Sequence, residues 1–253
     1  MRIISLAPSI TESLLAMGLG DRVVAISSWC KLLKFQGYGE VDAKPVAGDY
    51  TSIRWDRVRG LNPDLALLSG GYPAKNLGGA LPVPVFVVML PHSVYEISSM
   101  LLEIGAVVNE RERAVSVAQR FAEELSELKG LGRGVSIYVE LDLGVATAPG
   151  FFSHVSTGLA HLGFNVLNML IDRDYVWGDD ISSIRRRLAG KADLVVLEAK
   201  SRIITPELSS RYARLLRVDE SRLVLLPVLT LSSYGPSYPR LLRSAAEAIL
   251  ERL

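Results

Sequence analysis

NERERAVSVAQRFAEELSELK, residues 109–129, is the stretch from which the rest of the chain is read. It holds no Gly or Pro, and Ala114, Val117, Ala118, Phe121, Leu125 and Leu128 recur every three or four residues. That spacing predicts one amphipathic helix of about 20 residues, ~30 Å long at ~1.5 Å per residue. GLGRG (130–134) supplies the stop, because glycine adopts the left-handed conformation that ends helices. A helix of this length at mid-chain divides the protein into an N-terminal and a C-terminal half.

On both sides the texture is the same. Before it, β-rich runs at Arg2–Leu6, Val23–Ile26, Pro45–Ala47, Leu65–Leu68 and Val85–Val88 alternate with helical runs at Ile10–Met17, Ile53–Arg59 and Val94–Ile104. After it, strands are predicted at Val135–Val139, Asn165–Leu167, Leu194–Leu197 and Val224–Pro227. The helices predicted there are Val155–Leu162, Ile181–Leu188, Pro206–Leu216 and Pro239–Leu253. Strands separated by helices mean βαβ units and mostly parallel sheets. The expected fold is α/β, with two Rossmann-like lobes joined by a single long backbone helix. The boundaries are 1–108 for the N-terminal lobe, 109–130 for the connecting helix and 131–253 for the C-terminal lobe. A single continuous α/β domain is the alternative.

The bulk numbers narrow the function classes. Of 253 residues, 49% are hydrophobic, enough for one large core or two smaller ones. The net charge is +1, and no basic stripe with interleaved aromatics is present, so nucleic acid is not an expected partner. Cys30 is the single cysteine, which rules out an intrachain disulfide. The longest apolar run, Leu81–Leu90, contains two prolines and is too short to span a bilayer. The N-terminus lacks the basic, apolar and cleavage regions of a signal peptide. The expectation is either a cytosolic protein or one whose export segment precedes this chain. Scarce Asn and Gln with plentiful Arg, Glu, Leu and Val suggest a thermophile.

Ligands of open α/β sheets sit where strands end and helices begin, so the loops at those ends hold the candidate site residues. In LAPSITE (6–12), Ser9 and Glu12 fit a capping box, Ser9 as N-cap and Glu12 at N3. Free amides there would face an anionic group. The other loops carry aromatics: Trp29, Tyr50, Tyr72, Phe151, Phe152, Trp177 and Tyr234. Aromatics are only 7% of the chain, so this concentration suits a large, partly apolar ligand.

Catalytic patterns are weak. His92, His154 and His161 have no zinc-motif spacing, and no G-x-S-x-G surrounds the adjacent Ser153 and His154. Asp172, Asp174, Asp179 and Asp180 crowd one loop without the Gly and Glu of a calcium loop. No phosphate-binding glycine motif occurs. The pattern favours a binder over an enzyme, with no intrinsic cofactor or metal.

RIISLAPSITESLLAMGLGDRVVAIS (2–27) resembles the opening of the class III periplasmic-type solute-binding proteins, the helical-backbone metal receptors. These include vitamin B12-, iron–siderophore- and haem-binding components of ABC importers. The matching residues are Ser5, Pro8, Ser9, Thr11, Glu12, Ala16 and Gly18. VAGDYTSIRWDRVRGLNPDLALLS, IGAVVNERERAVSVAQRF, APGFFSHVSTGLAHLGFNV, ADLVVLE and GPSYPRLLRSAAEAI come after it in the family's order. The resemblance implies a monomer that holds a ligand in the cleft between two lobes. The ligand would be a metal chelate: a corrinoid such as cobalamin, or a ferric siderophore. It also implies a place outside the cytoplasm and an ABC importer permease as partner.

The ligand-binding set expected on that basis is Ser9, Trp29, Tyr50, Arg54, Gly71, Tyr72, His92, Phe151, Phe152, Trp177 and Tyr234. For haem, Tyr50, Tyr72 or His92 would be the axial ligand. Asp56 stands where the family has its first docking glutamate. The second docking helix reads ISSIRRRLAGKAD (181–193), with Ser182, Ser183, Arg185, Arg186 and Arg187 and no matching carboxylate. Those arginines would repel an arginine-bearing transporter. A signal-less subset of the superfamily has a cysteine where this chain has Cys30. The alternatives are therefore a cytosolic chelate carrier or sensor without a transporter, and a two-lobe enzyme such as a chelatase or glycosyl transferase.

Overall fold

In a computed structural model, all residues except Tyr50, Gly78 and Ala80 are described, and all side chains except theirs and those of Tyr72 and Pro73. Runs of Ile, Leu, Val and Ala make the first sheet: β1 (Ile3–Ser5), then helix α1 (Pro8–Ala16), β2 (Val23–Ser27) and β3 (Val46–Gly48). Next come α2 (Trp55–Val58), β4 (Leu65–Ser69), α3 (Tyr72–Leu77), β5 (Val85–Val88), α4 (Glu96–Val107) and α5 (Arg111–Ser126). The sheet order is β3-β2-β1-β4-β5, and every pair is parallel. Central β1 and β4 are buried along their whole length, whereas edge strand β5 is mostly half-buried. Parallel strands covered by helices on both faces read as continuous apolar runs for this reason. Ile4, Leu6, Ala25, Ala66 and Leu68 pack into one core; each large aliphatic side chain there contributes about 1.5–3 kcal/mol of burial.

The second sheet begins after α5: β6 (Ser136–Asp142), β7 (Ala146–Pro149), α6 (His154–His161), β8 (Asn165–Val166) and β9 (Tyr175–Trp177). The chain ends with α7 (Asp180–Leu188), β10 (Leu194–Glu198), α8 (Pro206–Leu216), β11 (Leu223–Leu226) and α9 (Tyr238–Leu250). Its order is β11-β10-β6-β7-β9, with β8 beside β6. β6, β10 and β11 are parallel, while β7 is antiparallel to both β6 and β9.

Two compact units result. The first comprises Met1–Pro91, Ile97–Ala122 and Gly235–Ser237; the second comprises His92–Glu96, Glu123–Tyr234 and Tyr238–Leu253. The chain's main passage from the first to the second falls within α5, with His92–Glu96 assigned to the second ahead of it and Gly235–Ser237 returning to the first.

Three expectations change. The helix expected over 109–129 is shorter, Arg111–Ser126. Asn109 takes φ +63° and Glu110 N–H donates to Gly105 O, so the preceding turn belongs to the end of α4. The hairpin of β7 and the ribbon with β9 were not anticipated, because these strands are only four and three residues long and Pro149 with Gly150 closes β7. The capping box is also absent: the N-cap of α1 is Ala7, with no side-chain cap, and Pro8 sits at the first position. Proline lacks an N–H that a first turn leaves unpaired anyway, and its fixed φ suits that turn. Glu12 therefore falls inside the helix, where its Oε1 accepts the Ser237 N–H at 2.6 Å. This bond ties the first unit's α1 to its own C-terminal segment, and Gly235 leaves the space that Glu12 fills; a Cβ there would lie 2.0 Å from Oε2.

Candidate ligand site

The order β3-β2-β1-β4-β5 places a topological switch at the carboxyl ends of β1 and β4, where such sheets take ligands. Ser9 comes after β1 and Gly71 after β4, so the first unit brings these two to the same sheet end. Ser9 is buried, and its carbonyl accepts the Ser13 hydroxyl. Gly71 is exposed at φ +79°, a conformation in which a side chain would be strained.

Trp29 lies beyond β2 in a 3-10 stretch, Ser28–Gln36, and is half-buried. Its neighbour Cys30 fixes that stretch from below. The Cys30 Sγ accepts the Thr11 hydroxyl at 3.1 Å and lies 3.0 Å from Ser27 Oγ, while Thr11 meets Ser5 Oγ at 2.7 Å. Burial pushes the thiol pKa up against these hydrogen bonds, so it stays a neutral packing group. Arg54 and Asp56 are exposed around the start of α2. Between β3 and α2, Asp49 Oδ1 accepts Thr51 N–H, Thr51 Oγ1–H and Ser52 N–H at 2.7, 2.7 and 2.9 Å. Tyr50 lies outside the described residues; Tyr72 opens α3, and its side chain lies outside them too.

In the second unit, Phe151 and Phe152 are about half exposed and stack edge-on, centroids 5.0 Å apart at 78°. Their backbone N–H groups donate to Ile171 O and Arg173 O. Trp177 is 60% exposed at the end of β9. The register sets Trp177 against Thr147 and Tyr175 against Pro149. Since Phe151 continues beyond Pro149, the phenylalanines and Trp177 lie at opposite ends of the β7–β9 ribbon. His92 is exposed, and its N–H donates to Glu96 Oε2 at 2.8 Å. Tyr234 is buried, its ring edge-on to His154 at 5.5 Å.

Sequence reasoning missed what holds Tyr234. Glu198, almost fully buried at the end of β10, accepts Leu229 N–H at 3.1 Å, Leu231 N–H at 2.5 Å, Ser232 N–H at 2.8 Å and Ser232 Oγ–H at 2.5 Å. Burial raises its pKa, and the four donors pull it back. Leu229 takes φ +64° within this turn. His154 Nε2 then meets Leu231 O at 3.2 Å, and its Nδ1 lies 3.4 Å from the Tyr175 hydroxyl. The available signal was a lone Glu closing the apolar strand LVVLE (194–198).

Ser153 and His154 do not form a nucleophile–base pair. Ser153 Oγ donates to Gly150 O and accepts Ser156 N–H as the cap of α6. Among the described residues no group of three His, Cys, Asp or Glu side chains is placed to hold a metal ion. Of the arginines on α7, Arg186 and Arg187 are exposed, whereas Arg185 turns inward. Arg185 is largely buried and makes two 2.7 Å bonds to the buried Glu140, which also accepts the Tyr138 hydroxyl. Among the described residues no helix is long and apolar enough to cross a membrane.

Two α/β units, each with loops at its sheet ends that carry aromatic and polar side chains, define a two-lobe architecture. Residues 3–131 match the model of the family described as periplasmic binding protein, and the chain belongs to that family. It is 33% identical over 133 residues to the vitamin B12-binding protein of Yersinia pestis (strain Pestoides F), 51% of this chain and 45% of that one. The chain thus spans about half the length of the curated relatives it matches. Among solved structures it resembles the periplasmic heme-binding protein RhuT from Roseiflexus sp. RS-1, with TM-score 0.74, 19% identity and 99% and 98% of the two chains covered. It also resembles the vitamin B12-binding protein BtuF of Vibrio cholerae, with TM-score 0.71, 16% identity and 99% and 97% coverage. The Fe3+-hydroxamate transport protein of Saccharomonospora viridis gives TM-score 0.72, 16% identity and 99% and 92% coverage. These likenesses establish the fold across the whole chain.

Proposed function

We propose that the chain is a non-enzymatic solute-binding protein that captures a metal chelate, a corrinoid such as cobalamin or a ferric siderophore. It would work outside the cytoplasm and deliver its cargo to an ABC importer. The observation that carries this reading is the set of exposed or half-exposed aromatics at strand ends, Trp29, Phe151, Phe152 and Trp177, in a member of this family. Flat apolar faces suit a corrin or hydroxamate complex, whose polar edges would meet the backbone near Ser9 and Gly71 and the Arg54 guanidinium. The relative named for vitamin B12 favours the corrinoid. Tyr234 would act as the buried support of its loop.

Titration of the purified chain with cyanocobalamin, a ferric hydroxamate and haemin, monitored by tryptophan fluorescence, tests this. Saturable quenching by one of them with a micromolar or tighter constant is expected. No response to any of the three would refute the chelate assignment.

A carrier or sensor without a transporter is the second reading. It is favoured by Ser182 and Ser183, which stand on α7 where a docking carboxylate would be needed. Asp56→Arg in a reconstituted importer separates the two: transport loss supports delivery, and unchanged uptake supports the carrier.

A further inference from the structure

The second unit has a basic pocket that the chelate reading leaves unused. It has a volume of about 470 Å3 and is lined by α7 from Ser182 onward, the C-terminal turn of α8 and the segment after α8, with Ser182, Arg185, Arg186, Arg217 and Arg222 as its polar walls. α7 leads into β10 and α8 into β11, so the pocket lies toward the amino ends of those strands, away from the Glu198 turn. The volume falls in the range of small-molecule sites, ~300–1,000 Å3. No carboxylate is among its lining residues.

Two of the four arginines have internal work. Arg185 neutralises Glu140. Arg222 donates through Nη2 to Ala189 O and Ala192 O and through Nε to Asp193 O, closing the carbonyl end after α7. The other two have none: Arg186 and Arg217 are exposed, and neither guanidinium has an ion-pair or hydrogen-bond partner among the described residues. Arg217 moreover sits at φ +57°, the left-handed C-cap of α8, where glycine is the least strained residue. Helix dipoles favour a basic residue at each C-terminus. They do not require a concave surface whose charged walls are all positive.

We propose that this pocket binds the phosphate group of a small anion. Arg186 and Arg217 supply the free guanidinium forks, and Arg222, held by backbone carbonyls, adds positive charge behind them, while the charge of Arg185 is balanced by Glu140. A planar guanidinium offers two parallel N–H donors to a tetrahedral oxyanion, which gives arginine its preference for phosphate over a point charge such as lysine.

Calorimetric titration of the full chain with inorganic phosphate, and separately with AMP, tests the site. Saturable binding is expected, weakening as salt is added. The R186A/R217A variant should lose about ten-fold or more in affinity, and R186K/R217K should fall between it and the parent. Both positions are exposed, so thermal midpoints should match the parent; if the alanine variant does not fold, the lysine variant carries the comparison. Tighter AMP than phosphate would identify a nucleotide-like source, and equal affinities would identify the free oxyanion. No saturable binding of either probe up to about 10 mM, or equal affinity in parent and variants, would overturn the proposal. Chelate quenching should be unchanged in the same variants.

Discussion

Arg185 and Glu140 form a bidentate pair in the second unit, Nε to Oε1 and Nη2 to Oε2, both at 2.7 Å, with the carboxylate side chain only 1% exposed. The charge that looked like a surface feature of α7 is therefore the counterion of a buried strand residue. Removing one partner leaves the other charge desolvated. Arg185→Ala should cost about 3–5 kcal/mol, whereas Arg185→Met with Glu140→Leu should recover most of that loss. Urea denaturation midpoints at neutral pH measure both.

Glu198 organises the turn that carries Tyr234. Glu198→Ala would leave the amides of Leu229, Leu231 and Ser232 without their acceptor. The expected cost is at least about 2 kcal/mol, together with faster amide exchange confined to residues 229–234. Uniform exchange across the unit would contradict a local role.

Asp49 gives a pH dependence with a defined sign. The Thr51 hydroxyl and backbone, with Ser52, hold its pKa below the ordinary aspartate value of 3.8. A depressed carboxylate contributes stability that is fully present above 3.8 and is lost as pH falls through the lower folded value. NMR amide protection at Thr51 and Ser52 should therefore persist at pH 4 and collapse at more acidic pH, and Asp49→Ala should lose it at every pH.

Gly150 allows the 171–173 segment to approach the Phe151–Phe152 loop. A Cβ at this position would lie 2.2 Å from Arg173 O and 2.9 Å from Ile171 O, both backbone atoms. Gly150→Ala should destabilise by about 1–3 kcal/mol, read as a lower thermal midpoint, and should weaken any ligand contact made by the two phenylalanines.

Trp29 and Trp177 test the ligand site. Replacing both by alanine should abolish chelate binding in equilibrium dialysis while leaving the fold intact, because Trp29 is half-buried and Trp177 is exposed. Retained affinity would remove the tryptophans from the site.

Much of the architecture was legible because parallel strands buried on both faces must be apolar along their length. IIS, LALLS and LVVLE stand out from any loop, and the predicted strands lie within a residue or two of β1, β4 and β10. The helices between them carry the three-to-four-residue period of a one-sided face. The features that escaped have no period: the 3-10 stretch holding Trp29, and the short antiparallel strands β7 and β9. The resemblance at the N-terminus pointed to the family that the match over residues 3–131 shows, and it did so through local residues, Ser5 to Gly18, that shape a strand-to-helix turn.

The sequence by itself determined the strand and helix inventory, the absence of a disulfide and the family, because each depends on patterns within a few residues or on composition. Only the tertiary structure decided partners far apart in the chain. Glu12 meets Ser237 instead of capping its own helix, Arg185 turns inward to Glu140, and Glu198 collects the amides of a turn some thirty residues on. A buried charge must find its donors wherever the fold brings them, and no local spacing records where that is.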